Sequence, residues 1–452
     1  MNILLTTHLF LPEYSAGTEI LTFETARELQ RRGHSVSVFT GFQGDRDRSD
    51  AERFDHYVHE GIEVERFHQA DVPMGGQWNV QEMEYNNRFC AEHFRGYLRR
   101  FKPDIVHSFH LARLSGALVD VCREEGVPQV FTPTDFWFVC PLYQLRLPGN
   151  ALCSGPDRHR VNCIRHLDFI DRPDEQTMVK SLPDWAIVLA VRLACWGGLP
   201  KRRYHFIHAV QERPGFLMKR LNCMAKVLAP TRLMADILVR NGLRPELVTH
   251  CPFGLNLDYL PATIERQPSA TLRIGFIGSL FEHKGIHVLL EAARSLGGQD
   301  NFVLKVYGEN REEPAFVERL QRLSVGDERI DFCGTFPNRM VGVVLAGLDV
   351  VVVPSVWYEN TPLVIYSAQA AGCPVIASNL GGMAEVVHHE INGLLVEPGD
   401  AVGLAAALKR LIDDRALLAR LSQGTERPKS IQQYVQECLE VYRGVAGMPS
   451  HA

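Results

Sequence analysis

The stretch 350–399, VVVVPSVWYENTPLVIYSAQAAGCPVIASNLGGMAEVVHHEINGLLVEPG, decides how the rest of the chain is read. Its apolar run 350–353, stopped by Pro354, suits a strand buried on both faces. A polar loop follows over 357–362, and Pro362 fits the first turn of a helix, where a missing N–H costs nothing. The spacing predicts a helix over 363–371 closed by Gly372, then a strand over 374–377. A tight glycine turn over 380–382 and a helix over 383–388 come next. Repeated strand–helix crossings imply a parallel sheet with binding loops at the carboxyl ends of its strands.

Two of those loops carry chemistry. The helix at 363 starts just after Glu359, Asn360 and Thr361, so its open backbone N–H groups can point at an anion. Glu359 lies close enough to accept hydrogen bonds from a polyhydroxyl ligand. A second N–H-rich turn, Gly381 and Gly382, sits one strand away. A phosphate bearing a sugar would satisfy both loops; a Rossmann-like half without a ligand is the alternative.

The residues PSVWYENTPLVIYSAQAAGCPVIASNLGGMAEVV, with NGLLVEPGD beyond them, resemble the nucleotide-sugar-binding segment of retaining glycosyltransferase family 4. The resemblance implies an α/β protein of the GT-B type, with two Rossmann-like doubly wound domains facing a cleft. It implies donor contacts from Glu359, Asn360, Thr361, Pro362, Leu363, Gly381, Gly382 and Glu385. The family carries a second Glu eight residues after the first, on nearly the same helix face, where it holds the ribose. Ser367 stands there instead, shorter and uncharged, so ribose binding is weakened or reorganised. Lys284 resembles the family lysine that neutralises the donor diphosphate as leaving-group charge develops. The arginine that often follows the family's first glycine is Ser279 here.

The same resemblance reaches the amino-terminal half. A strand over 1–7, a loop over 8–18 and a helix over 19–32 open the chain. The family often has two adjacent glycines in that loop; this chain has Ala16 and Gly17. Gly17 is the better candidate for close approach to a donor phosphate, a helix-entry glycine being the alternative. His110 follows the strand over 103–107, as an acceptor- or donor-side contact or a structural histidine. Where relatives read His-Asp, this chain reads Thr134-Asp135, so Asp135 remains a candidate for acceptor positioning or weak general-base work without an imidazole at 134.

At 452 residues the chain suits two domains. We expect an acceptor-side domain over 1–254, a linker over 255–270 and a nucleotide-sugar domain over 271–429, with a helix over about 430–446 packing back. A hydrophobic content of 46% and charged content of 22% are those of an ordinary globular protein, and a net charge of −5 argues against a general nucleic-acid binder. Eleven scattered cysteines suit reduced thiols and a cytoplasmic location. The start has no basic region of a signal peptide, and no apolar run is long enough to span a bilayer. Cys140, Cys153 and Cys163 have spacings that match no compact zinc motif, so no metal is expected.

Residues 178–240 hold eleven Lys/Arg against three Asp/Glu. An apolar helix over 185–196, bracketed by Trp185 and Trp196 and followed by Lys201, Arg202 and Arg203, suits the inner face of the cell membrane, or a core helix with a solvated basic end. The expected activity is metal-independent, retaining transfer from a UDP- or GDP-sugar, a co-substrate rather than a cofactor, to a glycan or polyprenyl-linked acceptor. In it Glu359, Lys284 and Asp135 carry the chemistry. A degenerate nucleotide-sugar or partner-binding relative, and an epimerase on the same architecture, are the other readings.

Overall fold

The computed structural model describes residues 1–147, 151–171, 181–195, 205–261, 264, 266–298, 300–309 and 313–447. The chain divides into two compact units. The first comprises Met1–Pro230, Met234–Cys251 and Val435–Ala452; the second comprises Thr231–Leu233 and Pro252–Tyr434.

The first unit is built on β1 (Asn2–Thr7), β2 (Ser35–Gln43), β3 (Phe54–His59), β4 (Ile62–Gln69), β5 (Ile105–Ser108), β6 (Gln129–Phe131), β7 (Lys226–Ala229) and β8 (Val248–His250). Their order is β3-β4-β2-β1-β5-β6-β7-β8, parallel throughout except for the β3–β4 hairpin. The sequence places one helix over 79–101, but the structure has two, Val80–Met83 and Arg88–Phe101. Asparagine side chains explain the break: Asn79 accepts from the Glu82 N–H and Asn87 from the Cys90 N–H, each starting its own helix. The helix Ile431–Val445 spans the point where the chain returns to the first unit. Its Tyr442 is fully buried, and the hydroxyl meets His107 Nδ1 at 2.5 Å.

The second unit is built on β9 (Leu272–Ile277), β10 (Phe302–Tyr307), β11 (Ile330–Gly334), β12 (Val350–Val353), β13 (Val375–Ser378) and β14 (Gly393–Val396). The order β11-β10-β9-β12-β13-β14, all parallel, reverses between β9 and β12, a topological switch point. Val350 and Val352 pack into the layer that holds Leu289, while Val351 and Val353 pack with Leu345 and Ile365. The strand is therefore buried on both faces, as its unbroken apolar run requires.

The sequence puts a glycine turn before a helix over 383–388; the structure starts a short helix on the glycines themselves, Gly381–Ala384. Asn392 ends it. Its side chain accepts from the His388 N–H and donates to the Val386 carbonyl, taking groups that a longer helix would use.

Candidate functional site

The β9 and β12 loops leave opposite sides of the switch point, and their two charged side chains meet there. Lys284 Nζ lies 2.6 Å from Glu359 Oε1. Gly285 makes this approach possible. Its φ is +73°, and a Cβ added to it would lie 1.8 Å from the carbonyl oxygen of Pro354. Only glycine lets the Lys284 turn press so closely on the end of β12.

Glu359 is 6% exposed. Its Oε1 also accepts from Ser355 Oγ at 2.9 Å and Trp357 Nε1 at 2.8 Å. The Lys284 ammonium stands 5.2 Å from the Trp357 ring centroid, and the same ring is edge-on to His283 at 4.8 Å. A buried carboxylate with three donors on one oxygen is held in one orientation. Sequence reasoning found Lys284 and Glu359 but missed Ser355, Trp357 and His283. Their position just past β9 and β12 was the available signal.

The helix Leu363–Ala370 follows. Pro362 stands at its N-cap with φ −61°, one residue earlier than the first-turn place the sequence suggests, and no side chain caps the helix. Its first N–H groups are therefore open to an anion. Gly372, with φ +63°, closes the other end. The two loops are tied together, since the Gly382 N–H donates to the Glu359 carbonyl at 2.9 Å and Thr361 Oγ1 donates to the Gly382 carbonyl at 3.2 Å. A Cβ on Gly382 would come within 2.9 Å of both the Glu359 carbonyl oxygen and the Thr361 nitrogen. Gly381 has φ +58°. Asn360 is 8% exposed, and its Nδ2 has no hydrogen-bond partner among the described residues. A buried amide donor left open costs about 1–3 kcal/mol, so a ligand acceptor fits there.

Ser367 is buried and donates its proton to the Leu363 carbonyl at 3.0 Å, one turn back in its own helix. Only its lone pairs remain for a ligand. The Glu385 carboxylate accepts from the Arg232 and Leu233 N–H groups, each at 2.8 Å, and its own N–H turns back to the Met383 carbonyl.

In the first unit Gly17 begins the helix Gly17–Arg31 and is exposed. His110 and Asp135 come together, with His110 Nε2 2.6 Å from Asp135 Oδ2. The Ala112 N–H donates to His110 Nδ1 at 2.9 Å, which fixes the His110 proton on Nε2 and makes it the donor to Asp135. The Trp137 N–H donates to Asp135 Oδ1 at 2.9 Å. Asp135 is thus oriented through both oxygens, and its side chain is 23% exposed. Thr134 Oγ1 turns to the Phe109 carbonyl.

Cys140 is buried, and burial pushes the Cys163 thiol up to about 12, helped by Cys140 and Cys153 nearby. Among the described residues no three His, Cys, Asp or Glu side chains gather to hold a metal ion. Trp196, Lys201, Arg202 and Arg203 lie outside the described residues. No helix among those described is long and apolar enough to cross a membrane.

Two family models match, one described as glycosyl transferases group 1 over residues 271–414 and one as a glycosyl transferase 4-like domain over 16–160. The 2-deoxystreptamine glucosyltransferase of Streptomyces kanamyceticus is 33% identical over 156 residues, 34% of this chain and 40% of its own length. The lipopolysaccharide core biosynthesis glycosyltransferase LpsD of Rhizobium meliloti is 34% identical over 165 residues, 36% of this chain and 45% of its own. These alignments span less than half of either relative. Among solved structures, sucrose-phosphate synthase from Thermosynechococcus elongatus superposes with a TM-score of 0.66 at 19% identity, covering 98% of this chain and 99% of that one. Anabaena HepE in complex with UDP and glucose superposes with a TM-score of 0.62 at 16% identity, covering 97% and 98%. These likenesses establish the GT-B fold. With one model on each half of the chain and that fold across both, the chain belongs to the group 1 and 4-like glycosyltransferases, family 4.

Proposed function

We propose that the protein transfers a sugar, with retention and without a metal, from a UDP- or GDP-sugar to a saccharide or lipid-linked acceptor in cell-surface polysaccharide assembly. The observation that carries the proposal is the Lys284–Glu359 pair across the switch point, beside an uncapped helix N-terminus. In this reading Lys284 and the N–H groups at Leu363 stabilise the departing diphosphate, while Glu359 and the backbone of 381–385 hold sugar hydroxyls. Asp135, fixed by His110, receives the acceptor hydroxyl. Relatives named for amylovoran and for lipopolysaccharide core biosynthesis support the polysaccharide context. The HepE complexes with UDP and with UDP-glucose support a nucleotide-sugar donor.

A lipid-linked acceptor would place the protein on the inner face of the cell membrane. The helix Asp184–Cys195 supports this, with Trp185 70%, Leu189 51% and Leu193 48% exposed at successive turns of one face. The basic run Lys201, Arg202 and Arg203 follows in sequence. Replacing Trp185 and Leu189 by Ser together is expected to lower co-sedimentation with anionic phospholipid vesicles several-fold at low salt; unchanged binding removes the membrane assignment.

The test of the main reading is a melting panel with UDP, GDP and their sugar conjugates, followed by release of nucleoside diphosphate. A donor at a hundredfold excess over Kd should stabilise the protein by about 2.7 kcal/mol. We expect one nucleotide family to do so, and the effect to vanish in Glu359→Ala and Lys284→Ala. No shift with any nucleotide would move the partner-binding reading ahead.

A further inference from the structure

The first sheet has its own switch point. Its order runs β2-β1-β5, so the loops after β1 and β5 part there. His8 is the first residue past β1, and His110 the second past β5. Their ring centroids are 4.3 Å apart. Glu19, in the first turn of Gly17–Arg31, brings Oε1 to 3.5 Å from His8 Nε2, and Asp135 arrives from beyond β6 to meet His110. Four titratable side chains from four loops or helix ends thus converge at the carboxyl end of the central strands, with Arg113 as the nearby cation.

The cluster is poorly satisfied as structure. Glu19 is 2% exposed, and its Oε2 has no hydrogen-bond partner among the described residues. His8 Nδ1, also buried, has none. His110 is fully used, with Nδ1 taken by a backbone N–H and Nε2 given to Asp135. Each open buried polar atom costs about 1–3 kcal/mol. Apolar residues would serve the fold better, and such sacrifice of stability is the mark of a working site. The His8 side chain is 23% exposed, the same as Asp135, so these two are the members a ligand can reach.

We infer that His8 is a further acceptor-binding residue, that it supplies beside Asp135 the imidazole that Thr134 does not, and that Glu19 is the positioning residue that holds it. This rests on the glycosyltransferase reading above. A saccharide acceptor offers several hydroxyls, and two fixed polar groups on neighbouring loops orient it better than one. Burial raises the Glu19 carboxyl to about 7, against hydrogen bonds from its own N–H and that of Ala16, with Asp135 pushing it further up. Burial, the largest cause, and the Arg113 charge hold the His8 imidazole well below its usual range and therefore neutral.

The test uses the full chain, the donor that raises its melting point, and a panel of mono- and disaccharides as acceptors, read as nucleoside diphosphate release above that with water alone. For His8→Ala we expect kcat to fall on the order of 10²-fold with donor KM and donor-induced melting shift unchanged. His8→Gln, which keeps a polar group, should retain more activity. We expect a step in wild-type kcat near pH 7 that Glu19→Gln flattens; His8, His110, Asp135 and Arg113 are the other titratable or charged groups facing the site. Wild-type kcat in His8→Ala, or a loss confined to donor KM, overturns the inference and leaves the glycosyltransferase reading standing. If the wild type neither binds nor cleaves any nucleotide sugar, that reading falls and takes the inference with it.

Discussion

Glu19 shows how one side chain can set the pH response of a fold. Its carboxyl is raised to about 7 in the folded protein from an ordinary 4.5, chiefly by burial. Between those values the folded state holds a proton that the unfolded state has released, so stability falls as pH rises from about 4.5 through 7. The loss is roughly 3 kcal/mol. Glu19→Gln removes the ionisable group while keeping its shape. We expect it to leave the melting point nearly unchanged at pH 5 and to raise it at pH 8; equal shifts at both would mean that Glu19 is ionised throughout. The Lys284–Glu359 pair was legible because both residues lie in short local patterns. His8 and Glu19 were not, because nothing within a loop of eleven residues says that β1 and β5 are neighbours.

At the scale of an element, the turn from β9 into the helix Ile286–Ser295 matters most. Gly285 sits against the Pro354 carbonyl with φ +73°, so any Cβ forces the Lys284 turn away from β12. Gly285→Ala should cost about 3 kcal/mol or more. It should also abolish the nucleotide-induced melting shift, since Lys284 would no longer reach Glu359. A normal shift in a destabilised variant would separate packing from binding and remove the turn's assigned role. The strands and most helices could be read from periodicity, β12 to the residue and the helix Leu363–Ala370 to within one. The failures lie where side chains intervene in the backbone. Asn87 splits a helix that the apolar pattern runs straight through, and Asn392 stops another soon after its glycines. Such asparagine bonds depend on rotamer and partner, which a hydrophobic period does not encode.

Over the molecule as a whole, acid sensitivity should centre on His107. Burial lowers its imidazole to about 3, and it bridges Tyr442 and Thr132 Oγ1. In the unfolded chain it would take a proton near 6.5, so its contribution is present above that pH and lost as pH falls from 6.5 towards 3. The loss is about 5 kcal/mol at most. Tyr442→Phe leaves His107 Nδ1 unpaired and should lower stability at pH 7.5 by about 1–3 kcal/mol, seen as a lower denaturant midpoint with little change in slope. An unchanged midpoint would mean that the bond contributes nothing. The two-sheet plan was legible because crossing helices force parallel strands; that Tyr442 would lie under His107 was not, because 335 residues separate them. The same separation governs the birth of the protein. When Cys251 has been added to the nascent chain, the first unit still lacks Val435–Ala452, and 183 residues of the other unit must be made before that segment appears. At roughly 5–20 residues per second that is a delay of about 10–40 s. For that interval the surface destined for the last helix stays bare on the ribosome, a natural point of attachment for a holding chaperone.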